Sequence, residues 1–370
     1  MSRPVAAIFR SALFNASERF IQDQAASLTR WQPVMVGLER KGALLPGLEE
    51  GLILPANRAE RRLFRLRGRG GGIEQRLREI GPKLVHAHFA TDGLLVLPLA
   101  RALGLPLVTS LRGYDVTRTD ASLLRSGNPA WIRYVLLKER LQRRGALFLA
   151  VSDALREKAI AGGFPAERTR THYNGVDLER FHPGAETREP GLILHVARLV
   201  EKKGTATLID ALARTPDARL VIVGEGPLRA DLERRAGPNV RFLGALPSDE
   251  VAAMMRRASV LAAPSITARD GDAEGLPNVV VEAAASGLPV VATRHSGIPE
   301  AVEDEVSGLL VGEGNVAALA AALAAALAAG PRMGEAARAL AERKFDRRVQ
   351  TARLEAIYDE FLSKADKSVK

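Results

Sequence analysis

The stretch 264–289 constrains the fold more than any other part of the chain. It is entered from one apolar run, Ser259-Val-Leu-Ala-Ala263, and left through another, Leu288-Pro-Val-Val-Ala292. Runs this short and this apolar read as buried strands, whereas 279–285 between them has the length and apolar character of a helix. Pro277 suits a first helical position, where its missing N–H loses no intrahelical partner. Gly287 with Pro289 stops the helix. Strand, polar loop, helix and strand in that order make one crossover unit of a parallel sheet.

The loop brings Glu274 and the peptide groups of Gly275, Leu276, Pro277 and Asn278 to the N-terminus of that helix, where free N–H groups and the dipole favour an anion. Glu282 lies one turn beyond Asn278. An anion held by the N–H groups, with hydroxyl-bearing groups held by Glu274 and Glu282, fits a nucleotide sugar. The two acids fit equally well as a first-turn helix acid and a solvated helix residue.

The same alternation runs along the whole chain. Strands are expected at 5–9, 33–38, 84–88, 105–111 and 146–151, with helices at 17–31, 58–69, 92–103 and 131–144 and another capped by Ser152 and ended by Gly162-Gly163. Trp131, Val135, Leu136 and Leu141 form the apolar face of the fourth helix. Residues 58–69 set six arginines around Leu63, Phe64 and Leu66, ahead of Gly70-Gly-Gly72. This is either a basic amphipathic helix suited to anionic lipid or a solvated helix or loop. Composition shifts near Asn174-Gly175, and 183–190 is polar, so a domain boundary is expected within 170–190. Beyond it, strands at 192–196, 219–223 and 240–243 alternate with helices at 205–213, 228–236 and 248–257. The central unit follows, then closing helices at 315–329, 332–343 and 347–363. Such repetition on both sides of a boundary implies an α/β protein with two Rossmann-like parallel sheets, each covered by helices.

Ligands of such sheets sit beyond the carboxyl ends of the strands, which selects the loops 197–204, 224–227 and 270–278. The first carries Arg198, Lys202 and Lys203. Cations beside a helix N-terminus are what a departing pyrophosphate needs; they are also what an exposed turn carries. Gly224-Glu-Gly226 lacks the third glycine of a dinucleotide fingerprint, since Arg229 stands there, and reads as a tight turn. Asp270-Gly-Asp272 reads as a solvated loop rather than a metal site.

With no cysteine, disulfides, thiol catalysis and cysteine metal sites are excluded, which suits a reducing compartment. His86 and His88 share one face of a strand by alternation. The apolar run near the N-terminus is too short for a secretory leader, and no run of about 18 apolar residues offers a membrane span. Charge is uneven: residues 1–175 hold 28 Lys and Arg against 15 Asp and Glu, and the remainder 25 against 28. A basic first half calls for an anionic partner, whether membrane surface, nucleic acid or anionic acceptor.

Glu274-Gly-Leu-Pro-Asn-Val-Val-Val-Glu282 resembles the E-x7-E element of the retaining glycosyltransferases of family four. Arg198-Leu-Val-Glu-Lys-Lys203-Gly204 resembles the family's R-x4-K-G element. Ser296-Gly-Ile-Pro-Glu300 and Asn174-Gly-Val-Asp177 are similar to its later turn and to the segment entering its second domain. Ala16-Ser-Glu-Arg-Phe-Ile21, His86-Ala-His-Phe89 and Leu111-Arg-Gly-Tyr-Asp115 resemble the subgroup that assembles exopolysaccharide, colanic-acid-like or lipopolysaccharide chains. The likeness implies the glycosyltransferase B fold, two Rossmann-like domains facing each other across a cleft. Residues 1–175 would be the acceptor domain, with the last helix, 347–363, packed back on it; residues 176–346 would be the donor domain.

That resemblance also implies roles. Arg198 and Lys203 would hold the diphosphate of a UDP- or GDP-type sugar, and Glu274 with the backbone of Gly275, Leu276, Pro277 and Asn278 the sugar. Glu282 would hold the ribose, and the backbone near Leu246 would meet the base. His88, Arg112, Gly113 and Asp115 would contact donor or acceptor in the first domain. No metal and no cofactor beyond the nucleotide sugar are implied. Two departures stand out: Arg112 occupies a position that is histidine in many relatives, and Ala197 one that is glycine. Arginine cannot serve as a base at physiological pH. The expected activity is retaining hexosyl transfer to a saccharide or lipid-linked acceptor, in the cytoplasm at the inner face of an anionic membrane, without nucleic acid. A nucleotide-sugar epimerase and a basic nucleic-acid-binding protein are the alternatives.

Overall fold

The computed structural model describes residues 3–15, 18–185, 187–215, 217–329 and 332–367. Ala16 and Ser17, which open the Ala16–Ile21 motif, and Glu186 of the polar 183–190 stretch lie outside the described residues. The chain forms two compact units, Met1–Gly175 with Arg347–Lys370, and Val176–Asp346.

Among the described residues the first unit has nine strands: β1 (Val5–Phe9), β2 (Ala12–Leu13), β3 (Gln32–Val36), β4 (Glu39–Arg40), β5 (Leu52–Ile53), β6 (Leu84–His88), β7 (Leu107–Leu111), β8 (Leu147–Ala150) and β9 (Thr169–Thr171). β2 and β4 pair with each other. The other seven make one parallel sheet in the order β5-β3-β1-β6-β7-β8-β9. β6, β7 and β8 are buried throughout, because helices cover both faces of a parallel sheet. That is why they are mostly Leu, Val, Ala and Phe, and why His86, His88, Thr109 and Ser110 within them are conspicuous.

The second unit carries β10 (Leu192–Val196), β11 (Arg219–Val223), β12 (Val240–Gly244), β13 (Val260–Ala263), β14 (Val290–Thr293) and β15 (Gly308–Val311) in the order β12-β11-β10-β13-β14-β15, again all parallel. Both sheets therefore grow outward from their first strand in one direction and then the other, the doubly wound pattern. The order reverses between β1 and β6 in the first unit and between β10 and β13 in the second.

Four details differ from the sequence expectations. Pro277 is the N-cap of helix Asn278–Ala285, in extended conformation (φ −65°, ψ 122°); it has no N–H to satisfy there, and its C=O accepts the N–H of Val280 (3.1 Å). A separate helix, Gly71–Ile80, begins within the glycine run, with Ile73 and Leu77 fully buried. The first helix spans only Arg19–Ala26, and Trp31 is buried beyond its end. Leu136 is not on the buried face of helix Pro129–Arg144; it is 69% exposed.

Helix Arg347–Lys367 belongs to the first unit. Glu355 accepts the backbone N–H groups of Thr29 (2.7 Å), Arg30 (2.6 Å) and Trp31 (3.2 Å), and Trp31 Nε1 donates to Asp359 (2.8 Å). Where the chain passes out and returns, Val176 N–H donates to Phe345 O (2.8 Å) and Val176 pairs with Asp346. A β-carbon on Gly175 would stand 2.5 Å from Arg347 Cα.

Candidate functional site

In the second unit the loops leaving β10 and β13 touch at the reversal of strand order: Ile266 N–H donates to Lys202 O (2.8 Å). Gly204 (φ +64°) makes this approach possible, since a β-carbon there would lie 1.8 Å from Pro264 O. The two loops bring opposite charges together. Lys203 Nζ is 3.1 Å from Glu274 Oε1, and Lys202 Nζ is 3.4 Å from the same oxygen and 3.0 Å from Asp272 Oδ1. These side chains are 12–24% exposed. Oε1 meets both ammonium groups as an ion pair without a directed hydrogen bond. Burial opposes ionisation of Glu274; Lys203 first and Lys202 second outweigh it and hold the carboxyl at about 2. Asp272 is instead pushed up by burial, against the pull of Lys202.

Glu274 is also fixed from behind. Its N–H donates to His295 Nε2 (3.0 Å), and His295 Nδ1 lies 2.6 Å from Glu313 Oε1. Nε2 is thus an acceptor and Nδ1 carries the proton toward Glu313. Glu313 Oε2 in turn accepts the N–H of Thr267 (2.8 Å). Helix Asn278–Ala285 starts directly after this loop, with Glu282 partly exposed on its second turn. Arg198 is exposed in the loop after β10, and its side chain makes no ion pair or hydrogen bond among the described residues. Leu246 is partly exposed after β12. Gly224 (φ +133°) makes the tight turn expected of it, and a β-carbon there would meet Ala197 O at 1.9 Å.

The reversal in the first unit is built differently. After β1, Arg10 Nη1 donates to Asp92 (2.7 Å), its Nε and Nη2 donate to Glu18 (2.8 and 2.9 Å), and its guanidinium lies 4.6 Å above the Phe89 ring. On β6 the rings of His86 and His88 stack at 4.6 Å. His86 bonds Tyr358 Oη (2.5 Å) through Nδ1 and Ser110 Oγ (2.8 Å) through Nε2. Arg112 donates from Nη2 to His88 Nδ1 (2.9 Å) and from Nη1 to Asn174 Oδ1, and its guanidinium covers Phe20 at 4.7 Å. Its Nε is buried without a partner among the described residues. Burial lowers Arg112 to about 10, against the pull of Asp115, so it stays protonated at neutral pH. Asp115 accepts the N–H groups of Ala90 (2.8 Å), Arg112 (3.1 Å) and Gly113 (2.9 Å). Burial pushes it up all the same. Burial, joined by Arg112, pushes His86 and His88 well down, and burial brings His172 to about 4.

Residues 17–180 match the family described as Glycosyltransferase Family 4, and residues 190–329 match Glycosyl transferases group 1. Each part of the chain thus matches a glycosyltransferase domain. The chain is 38% identical over 248 residues to a protein of Escherichia coli (strain K12) provisionally named colanic acid biosynthesis glycosyltransferase WcaL, covering 63% of this chain and 59% of that protein. It is 38% identical over 193 residues to the amylovoran biosynthesis glycosyltransferase AmsK of Erwinia amylovora, covering 49% of this chain and 47% of that one. It thus spans about half to three fifths of the curated relatives it matches. Crystalline HepE of Anabaena, in complex with UDP and glucose, superposes with a TM-score of 0.78 at 21% identity, covering 97% of this chain and 100% of HepE. The fold is that of glycosyltransferases built from two parallel-sheet α/β domains.

In the group 1 domain, then, Lys203 and Glu274 are in contact, and Gly275, Leu276, Pro277 and Asn278 run from that contact into the helix. In the part matching family 4, His88 touches Arg112, and the Asp115 carboxylate accepts the backbone N–H groups of Arg112 and Gly113. Sequence reasoning missed His295 and Glu313, although His295 directly precedes the Ser296–Glu300 turn, whose Gly297 N–H donates to Gly275 O (3.0 Å). It also set Asp272 in a solvated loop. Asp272 is a partner of Lys202, because a loop this close to two lysines turns its acids toward them.

Proposed function

We propose that the chain is a retaining glycosyltransferase. It moves a hexose from a UDP- or GDP-type sugar to a saccharide or lipid-linked saccharide during polysaccharide assembly, in the cytoplasm at the inner face of a membrane. The observation that carries this is the Lys202–Lys203–Glu274–Asp272 cluster at the crevice where nucleotides bind doubly wound sheets. Lys203 and Arg198 take the diphosphate together with the N-terminus of helix Asn278–Ala285; Glu274 and the 275–278 backbone take the sugar. Glu282 takes the ribose, and the backbone near Leu246 the base. The bond between the anomeric carbon and the phosphate oxygen breaks. The acceptor oxygen bonds that carbon on the same face, and its proton passes to the departing phosphate oxygen. Charge on the leaving diphosphate is met by groups already in place, which is where such sites gain most rate. Because these cations supply the positive charge, the reaction runs without a metal ion. Arg112, protonated at neutral pH, acts on substrate as a donor of hydrogen bonds.

A panel of nucleotide sugars tests this by thermal shift and by turnover with oligosaccharide acceptors in excess chelator. The expected result is one donor class that raises the melting temperature and a product whose anomeric configuration matches the donor's. No stabilisation by any nucleoside diphosphate, or an inverted product, overturns it. The transferase names of the relatives weigh against an epimerase, which would consume donor with no acceptor present.

A further inference from the structure

Helix Arg58–Arg67 turns one apolar residue inward: Phe64 is 1% exposed and stacks on Phe9 with ring centroids 6.0 Å apart. Leu63 and Leu66 go the other way and are 38% and 75% exposed. Spaced three apart, they share a side of the helix with Arg62, which precedes Leu66 by four. Helix Pro129–Arg144 adjoins them. Arg133 Nη1 donates to Arg65 O (2.6 Å) and Leu66 O (3.3 Å), and one turn further on stands Leu136. Arg140 and Arg144 continue the same side at four-residue intervals. Leu66 and Leu136 are the two most exposed large apolar side chains among the described residues, and this one contact brings their helices together.

The cations around them are under-compensated. Glu39 approaches Arg61 and Arg65 only at 3.7 and 3.5 Å, and Glu139 pairs with Arg143 at 3.1 Å. Glu60 is spent on the backbone N–H groups of Ala56 and Ile73. Arg58, Arg62, Arg67, Arg140 and Arg144 have no carboxylate within 4.0 Å among the described residues. Arg133 is held below its usual range by burial and by the nearby charge of Arg140.

We propose that this face, Leu63, Leu66 and Leu136 ringed by Arg62, Arg65, Arg140 and Arg144, docks on an anionic lipid bilayer. This rests on the membrane part of the proposed function and gives it a surface. The leucines enter the boundary between headgroups and acyl chains, and the guanidinium groups bind headgroup phosphates. A nucleic acid would satisfy the arginines alone, since its single strands are gripped by aromatic platforms rather than by exposed leucines.

Flotation of the full chain with vesicles tests the proposal. Binding is expected to phosphatidylglycerol mixed with phosphatidylcholine and not to phosphatidylcholine alone. Replacing Arg62, Arg140 and Arg144 by Ala lowers partitioning by about 5-fold per residue, on the order of 100-fold together, and the loss shrinks as salt rises. Leu66→Ser with Leu136→Ser lowers it about tenfold at every salt concentration. Melting temperature and the UDP-induced thermal shift are read on each variant. Values like the wild type's show that folding and donor binding are intact, so a docking failure stands apart from a failure of the proposed chemistry. The proposal is overturned if wild-type protein ignores anionic vesicles or either variant binds like wild type. It is also overturned if polyuridylic acid binds as tightly as vesicles and the leucine pair affects neither.

Discussion

Two crevices, one per unit, form where the strand order reverses, and they handle charge in opposite ways. In the second unit Lys202 and Lys203 close on Glu274, and the carboxyl is driven down to about 2. In the first, His86, His88 and His172 are buried and kept neutral, while Arg112 is held by His88 and Asn174, with no carboxylate at its guanidinium among the described residues. One crevice is a set of opposed ions in mutual contact. The other is a desolvated network that keeps its protons fixed. A single topology can therefore carry either electrostatic regime, and the side chains at the carboxyl ends of the central strands decide which.

Acid should break the contrast most strongly. The folded pKa of His86, His88, His172 and His195 lies below the unfolded value of about 6.5, so the stabilising contribution of each is full above that value. That contribution is lost as pH falls toward about 4. By pH 5 the loss is on the order of 2 kcal/mol for each of His172 and His195, and His86 and His88 are shifted the same way. The first unit has three such groups and the second has His195. Glu274 begins to matter only below its unfolded value of 4.5, on the way down to about 2. Hydrogen exchange at pH 5 is expected to show the first unit opening before the second; simultaneous opening would contradict the assignment. Next, Lys203→Ala should cut turnover by about 10²–10³, as loss of one preorganised charge donor does; unchanged kcat would remove Lys203 from the diphosphate. Glu274→Gln strands two lysines beside Asp272 and should destabilise the protein by about 3 kcal/mol in urea titration. Tyr358→Phe takes one hydroxyl from His86 and should shift stability by only about 1 kcal/mol. A larger loss there than for Glu274→Gln would reverse the comparison.

Much of the sheet was legible because buried parallel strands are short apolar runs, as at Val5–Phe9, Leu84–His88 and Leu192–Val196. β9 (Thr169–Thr171) was not, since an edge strand reading Thr-Arg-Thr carries no apolar signature. Helix Gly71–Ile80 hid behind two glycines that signal a break, although Ile73 and Leu77 bury its inner side. At the candidate site, the E-x7-E and R-x4-K spacings pointed to the loops that do meet. That Lys203 meets Glu274 directly, and that His295 braces it, depends on β14 lying beside β13, a pairing no local spacing encodes. Arg112 was noticed as a departure, but its grip on Asn174 joins residues 62 apart in sequence.

The adjacency of Val176 with Phe345 and Asp346, and of Gly175 with Arg347, makes the 176–346 segment an insertion whose two ends meet. It can be excised as a cassette and the remaining backbone spliced from Gly175 to Arg347 over almost no distance. A segment from a relative can be grafted through the same two joints. A protease that nicks one joint leaves the two units tethered by the other.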